Sequence, residues 1–197
     1  MNTPSHLIMT AALRKRLRPL PIPRTPFLLG AVLPDVPLWL LSIGGGLYFR
    51  YGRGWSAEAI AQHMFGTLYF HDPRWIAAHN LLHSPTLLTL MLLTLWRFRQ
   101  RIGSPLRSLY WFLTACMLHT GVDIFTHVDD GPVLFFPFEW TIRFHSPISY
   151  WDPAYHGRAF MFVELALDLA LLLYLAIPSL QRRLRSRSAR PPFGASS

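Results

Sequence analysis

The chain is predicted to be an all-α membrane protein, a polytopic helical bundle of about four spanning helices plus a short N-terminal helix. Of its 197 residues, 51% are hydrophobic and only 15% are charged, whereas about 25% are charged in an ordinary soluble domain. The apolar residues are clustered into stretches close to the roughly 17–25 residues that a helix needs to cross the hydrocarbon core. The basic residues lie between and after these stretches, as in multi-pass membrane proteins.

Four apolar stretches are expected to span the membrane, and they cover residues 27–48, 80–96, 108–126 and 159–178. The first is interrupted by Pro34, Asp35 and Pro37, so we expect a break there rather than a straight helix. The single Cys116 excludes an internal disulfide framework and a thiolate-rich zinc site.

A shorter apolar segment at the N-terminus precedes a basic run at residues 14–18. A secretory signal carries its charges in front, so this segment is expected to belong to the mature protein. A helix over residues 4–18 would be about 21 Å long and would place His6 near the middle of the membrane, with the basic run cytoplasmic. The chain would then return through residues 26–34 and bring Asp35 to a similar depth.

The distribution of charge predicts the orientation in the membrane. Fourteen of the 19 Lys and Arg residues lie in three segments, 14–24, 97–107 and 182–190, which alternate with segments poor in bases. The positive-inside rule then places both termini in the cytoplasm. Residues 1–180 are predicted to be a membrane-embedded helical domain, and residues 181–197 a basic, disordered cytoplasmic tail that lies against anionic lipid. Nucleic-acid binding is not expected, because aromatic residues are not interleaved with the bases of the tail.

The segment from His119 to His127 carries the sharpest chemical signal. His119, Asp123 and His127 are four residues apart, so on a helix they form one stripe. Residues four apart can share an ion, but His119 and His127 are separated by about 12 Å of rise, too far for both to bind one ion. The spacing suits two ions with Asp123 between them, or one ion with His127 in an outer role. Simple capping of a helix end is the alternative, and it is disfavoured because a carboxylate inside an apolar helix is costly and usually functional.

A second histidine pair has the same spacing. His79 and His83 resemble half of the helical zinc signature, although Asn80 stands where that signature has glutamate. Two interfacial histidines at a helix start are the alternative. Both histidine pairs are expected at the same outer level of the membrane, which favours a shared metal site.

Two carboxylates lie on one face of the last predicted span. Glu164 and Asp168 are four residues apart, and no Lys or Arg lies at their depth in any predicted span. A buried carboxylate must be protonated or paired, so imidazolium or a metal ion is the remaining cationic partner. For Asp168 the alternative is a neutral acid hydrogen-bonded to a neighbouring helix. The loop that carries His145, Asp152 and His156 is either an interfacial turn or a lid over the site.

Several short motifs occur in a fixed order over residues 1–145: PSHLIMTAAL, AVLPD, HNLLHS and HTGVD, followed by DGPVLFFPFEW. In these motifs the chain resembles a family of bacterial inner-membrane proteins predicted to be metal-dependent hydrolases, which is distantly similar in fold to zinc-dependent phospholipase C. The family continues the LPD motif with another acid and a histidine, whereas Val36 and Pro37 follow here. The resemblance implies a mostly helical domain with a His/Asp metal site, and its motifs mark as candidate ligands His6, Asp35, His79, His83, His119 and Asp123.

The expected function is that of a membrane-bound metal-dependent hydrolase acting on a phosphoester or a lipid head group. Zinc is the expected ion, with Mn²⁺ and Fe²⁺ as alternatives, because the ligands are imidazole and carboxylate without thiolate. Asp123 and Glu164 are the candidate catalytic residues, and His127 joins the candidate metal ligands. The alternative function is non-enzymatic, an ion-handling protein or an accessory subunit of a membrane complex. Membrane lipids are the expected partners, and no motif names a substrate or a protein partner.

Overall fold

The structure is a computed structural model that describes residues 1–101 and 104–188, with side chains as far as residue 177. Within these residues every regular element is a helix, apart from an isolated bridge between Val133 and Arg143. The predicted all-α fold class is therefore confirmed for the described part of the chain.

The α-helices are numbered in chain order, and short π and 3-10 segments extend or connect some of them. Their bounds are α1 Thr3–Arg16, α2 Arg24–Leu29, α3 Val36–Leu47, α4 Ala57–Ala61, α5 Tyr69–His71, α6 Pro73–Asn80, α7 Pro85–Leu95, α8 Pro105–Thr126 and α9 Gly157–Ser188. The π segments are Tyr48–Gly52 and Gln62–Leu68, and the 3-10 segments are Trp96–Phe98 and Pro153–Tyr155.

Proline and capping side chains set where these helices begin. Five helices (α1, α3, α6, α7 and α8) carry proline at their first or second position, where the missing N–H would have no partner inside the helix. The Asp72 carboxylate accepts the Arg74 N–H at 2.8 Å before α6, and the Ser84 hydroxyl accepts the Leu87 N–H at 3.4 Å before α7. Such caps satisfy amide groups that the first turn of a helix leaves free.

The first predicted span is divided into two helices, as its prolines predict. The chain leaves α2, turns through residues 30–35 and starts α3 after Asp35. At the start of this turn α2 lies close against α8, and a Cβ atom on Gly30 would collide with the Phe112 carbonyl oxygen. This close approach brings the Asp35 turn next to the middle of α8.

Fewer spans are supported by the structure than the four predicted. Among the described residues one helical segment, Gly157–Ile177 in α9, is long and apolar enough to cross a membrane, with a mean hydropathy of 2.2. A second span results if α6 and the helical segment 85–98 are counted together across their 44° bend. Four spans are thus not confirmed, because the turn at 30–35 shortens the first stretch and polar side chains interrupt the apolar surface of α8.

Helix α8 is the centre of the packing. It lies against both α2 and α7, and α1 packs along α9. Leu88 of α7 meets Leu113 and Cys116 of α8 in a fully buried cluster. Since polar residues of α8 follow directly on this apolar core, they are held at a fixed position inside the protein.

Helices α1 and α9 are joined by polar contacts and run in the same direction. The backbone N–H and the side-chain amide of Asn2 both donate to the Glu164 carboxylate, at 2.8 Å each, and further along the Lys15 amine contacts the Tyr174 carbonyl oxygen. The basic end of α1 therefore lies beside the later part of α9, whereas Met1 is buried at the opposite end of α1. Helix α9 continues to Ser188, so part of the tail predicted at 181–197 is helical backbone and the rest lies outside the described residues.

The orientation in the membrane is tested by cysteine labelling. Ser56→Cys and Ala154→Cys, both at exposed positions, are expected to react with a membrane-impermeant maleimide added to intact cells. Arg101→Cys should react only after permeabilisation, and native Cys116 is fully buried and should stay silent. Labelling of Arg101→Cys alone from outside would reverse the predicted orientation.

Candidate metal centre

Four side chains from three parts of the chain meet beside α8. Asp35 comes from the turn before α3, His83 from the bend between α6 and α7, and His119 and Asp123 from α8. One ligand atom from each lies within 4.8 Å of the others, a grouping that could hold a metal ion. His83, His119 and Asp123 are buried, and Asp35 is partly exposed.

The distances between the ligand atoms are those of a compact coordination shell. The Nε2 atoms of His83 and His119 are 3.1 Å apart. Asp35 Oδ1 lies 3.4 Å from His83 Nε2 and 3.3 Å from His119 Nε2, while Asp123 Oδ2 lies 3.7 and 2.9 Å from them. Tetrahedral zinc with bonds of about 2.0–2.1 Å would separate its ligand atoms by about 3.3 Å.

Hydrogen bonds on the far side of each imidazole determine which nitrogen faces this group. His83 Nδ1 lies 2.9 Å from the His79 carbonyl oxygen, and His119 Nδ1 lies 3.0 Å from the Ala31 carbonyl oxygen. A carbonyl oxygen only accepts, so both Nδ1 atoms carry the proton and donate it. In the neutral ring the Nε2 atoms then present lone pairs, the orientation that metal-bound histidines usually receive from such carbonyl contacts.

This geometry brings two nitrogen lone pairs and two carboxylate oxygens into one buried space. Such groups repel each other unless a cation lies between them. A metal ion satisfies all four ligands at once, and the donor set of imidazole and carboxylate suits Zn²⁺ while also admitting Mn²⁺ and Fe²⁺. Two cations compete with a metal ion: a proton on one histidine, which would satisfy only one or two of the contacts, and the buried Met1 amine, which lies 3.0 Å from Asp123 Oδ1.

His6 contacts the other oxygen of Asp123 and lies outside the four-residue group. Its Nε2 donates to Asp123 Oδ1 at 3.0 Å, and its ring stacks on the His119 ring with centroids 3.8 Å apart. His6, a candidate metal ligand by resemblance, thus contacts one of the four residues instead of joining the group. His6 orients the Asp123 carboxylate so that Oδ2 faces the group.

His79 and His127 also lie next to the group without joining it. His79 Nε2 lies 3.1 Å from the Tyr69 hydroxyl, which donates its own proton to the Asp130 carbonyl oxygen at 2.6 Å. The His127 Nδ1 donates to the Asp123 carbonyl oxygen at 3.0 Å, because α8 ends at Thr126 and His127 is extended. Of the two readings of the helical stripe, the structure favours one ion with His127 in an outer role.

Glu164 and Asp168 face α1 rather than the four-residue group. Asn2 occupies both oxygens of Glu164, and the Ser5 hydroxyl donates to Asp168 at 2.6 Å. Asp168 therefore follows the predicted alternative of an acid hydrogen-bonded to a neighbouring helix. The catalytic role of Glu164 stays a prediction. Glu164 contacts Asn2, and the amine of the neighbouring Met1 lies 3.0 Å from Asp123.

Asn80, which departs from the helical zinc signature, is a positioning residue. Its side-chain amide donates to the Ile76 carbonyl oxygen at 2.8 Å, and its oxygen accepts the Val133 N–H at 2.7 Å. The Ser84 hydroxyl adds a bond to the Phe136 carbonyl oxygen at 2.8 Å. These bonds fix the DGPVLFFPFEW segment beside His83. In the sequence, the one feature that could have indicated them is a polar residue between two histidines.

A cavity of about 720 Å³ opens beside the group. Asp35 and Asp123 line it from the group, and Tyr150, Trp151 and Asp152 line it from the loop. The Tyr150 N–H donates to the Thr126 carbonyl oxygen at 2.9 Å, which ties the loop to the end of α8. Burial raises the pKa of Tyr150 to about 12, so its phenol is neutral and can donate a hydrogen bond at neutral pH.

The loop matches the predicted lid in part. Asp152 lines the cavity, whereas His145 pairs with Asp129 at 2.7 Å in a contact where both side chains are exposed. His156 is exposed, and its backbone is left-handed with φ of 65° at the start of α9. Asp152 and its aromatic neighbours are therefore the loop residues that line the cavity beside the site.

These features define a helical protein with a candidate metal centre of two histidines and two aspartates. The chain belongs to the YdjM inner membrane protein family, whose profile matches residues 1–184. Membership confirms the predicted inner-membrane family. No curated protein and no solved structure matches the chain, so the distant likeness to zinc-dependent phospholipase C finds no support there.

Proposed function

We propose that this protein is a metal-dependent hydrolase of the bacterial inner membrane that cleaves a phosphoester, as in a lipid head group. The observation that carries the proposal is the set of Asp35, His83, His119 and Asp123, in which the last three are buried and both histidines are oriented by backbone carbonyl groups. A zinc ion held there would act as a Lewis acid and supply a nucleophile from water at neutral pH.

The residues around the set supply the remaining functions of a hydrolytic site. Asp35 is partly exposed to the cavity, so it can accept a proton from a water molecule there, and the Thr3 hydroxyl fixes its second oxygen. His6 holds the Asp123 carboxylate in one orientation. The cavity is large enough for a head group and is lined by polar and aromatic side chains on one side of the set.

An ion-handling function would require a polar path that leaves the set toward the basic end of the protein. The space on that side, between α1, α8 and α9, is instead walled mostly by aliphatic side chains. An apolar wall opposes the passage of ions because it offers no ligands to replace their water. The geometry thus supports hydrolysis over ion transport.

Metal removal tests the proposal. Detergent-purified protein loaded with Zn²⁺, Mn²⁺ or Fe²⁺ is expected to release phosphate-bearing products from phospholipid vesicles or from a soluble aryl phosphodiester. A chelator should abolish this release, and adding the metal back should restore it. If no metal supports hydrolysis of either substrate, the accessory-subunit function takes the place of the hydrolase.

The role of Glu164 is tested by Glu164→Gln, which keeps the shape and one acceptor oxygen but cannot take up a proton. If Glu164 is the general base, turnover falls by about 10²–10⁴-fold with metal content unchanged. Asp168→Asn is the matched control, since Asp168 also contacts α1 from the same face of α9. If turnover and metal content both match those of the control, Glu164 is not a catalytic residue. Its role is then to accept the hydrogen bonds of Asn2.

A further inference from the structure

A second cavity, of about 550 Å³, lies between α1, α8 and α9 and is almost entirely apolar. Its aliphatic lining includes Met9 and Leu13 of α1, Leu118 and Val122 of α8, and Leu171 of α9. Among the residues whose side chains the structure describes, no carboxylate lines it and Arg16 is the one charged lining residue. The chemistry of this groove suits a hydrocarbon and not a polar ligand.

The groove ends at the candidate metal centre. His6 and His119 line the groove, whereas Asp35 and Asp123 line the polar cavity described above. The His119 Nε2 and the Asp123 carboxylate are 2.9 Å apart, so the two spaces approach each other at these side chains. From His6 to Arg16 the groove follows ten residues of α1, about 15 Å of helix.

The groove is continuous with the surface that faces the bilayer. Its α9 wall belongs to the segment Gly157–Ile177, the apolar candidate span, of which only 6% is buried inside the protein. Leu167 and Tyr174 line the groove and are 39% and 40% exposed. A chain of the surrounding lipid can therefore enter the groove sideways from the hydrocarbon without crossing water.

We infer that one hydrocarbon chain of a membrane lipid occupies this groove and leads its head group to the candidate metal centre. An amphiphile matches the two spaces, because its tail buries apolar surface against α1, α8 and α9 while its polar group reaches the carboxylates and histidines. This inference deepens the proposed function and rests on it for the chemistry, since it assigns a lipid and not a free phosphoester as the substrate.

The groove is tested with a lipid whose chain carries a photoreactive group. The full-length protein is placed in phosphatidylethanolamine vesicles that contain a small share of the same lipid with a diazirine at the end of one acyl chain. After illumination, mass spectrometry is expected to find adducts on the groove wall of α1, at Met9 and Leu13. The Leu171→Trp variant, which fills the groove from α9, should lower these adducts severalfold.

Leu172→Trp is the matched control, because Leu172 is the neighbouring residue, is 48% exposed and is not part of the groove. It should leave the α1 adducts unchanged. Should Leu171→Trp fail to fold, Leu13→Trp fills the same groove from α1, with Met9 as the site to be read. Equal α1 labelling in the filled variant and the control would overturn the inference.

A kinetic measurement separates this inference from the proposed function. Filling the groove should raise KM for a long-chain phospholipid and leave kcat and KM for a soluble aryl phosphodiester unchanged. Groove labelling without hydrolysis of any substrate would retain the lipid site and overturn the hydrolase. Hydrolysis of the soluble substrate without groove labelling would retain the hydrolase and overturn the lipid site.

Discussion

Replacing His119 with alanine is expected to reduce bound metal to background while the protein remains folded. His119 Nε2 lies within 3.3 Å of a ligand atom from each of His83, Asp35 and Asp123, so its removal takes away the atom at the centre of the set. Metal content per protein, measured by inductively coupled plasma mass spectrometry after dialysis against zinc, gives the result directly.

His145→Ala is the control for this experiment. His145 is also a histidine paired with an aspartate, but its side chain is 63% exposed and lies in the loop. It should retain the stoichiometry of the parent protein. A His119→Ala variant that binds as much metal as the parent would show that His119 is not a metal ligand.

Replacing Asp123 with alanine is expected to lower the free energy of unfolding by about 3–5 kcal/mol. Its carboxylate contacts the imidazoles of His6, His83 and His119, and its side chain is only 6% exposed. Removing it leaves the His6 imidazole without its carboxylate partner, and leaves Asp35 as the remaining carboxylate beside His83 and His119. The apparent melting temperature in detergent should fall by several degrees with or without added metal.

Asp129→Ala is the matched substitution for comparison. Asp129 also accepts a hydrogen bond from a histidine, but its side chain is 73% exposed, and exposed pairs contribute little to stability. Its melting temperature should stay close to that of the parent. Equal melting temperatures for Asp123→Ala and Asp129→Ala would mean that the Asp123 contacts do not stabilise the fold.

Local sequence patterns predict those parts of the site that lie within one element. The four-residue spacing of His119 and Asp123 is a property of any helix through them, and α8 places both in the set. Pro34 and Pro37 predict the break that leaves Asp35 in a turn, because a proline inside a helix lacks the N–H that would bond to the preceding turn, and its ring clashes with that turn. The start of the N-terminal helix follows from its proline in the same way.

Other expectations depended on where a helix ends or which helix lies next to it. The stripe from Asp123 to His127 assumes one more residue of helix than α8 has, and the extended backbone of His127 turns its ring to the Asp123 carbonyl group. His79 keeps the predicted spacing to His83, yet the Tyr69 hydroxyl engages its Nε2. Tyr69 is ten residues away in sequence, and no periodic pattern relates it to His79.

The helical class, the break at Asp35 and the helical alignment of His119 with Asp123 are predictable from the sequence, because each depends on backbone propensity over a few residues. Helix packing is what brings Asp35 and His83 to that pair, His6 to the far oxygen of Asp123, and Asn2 to Glu164. These contacts join residues 36 to 162 positions apart in the chain. Their partners are selected by the packing of α1, α8 and α9, which local propensity does not encode.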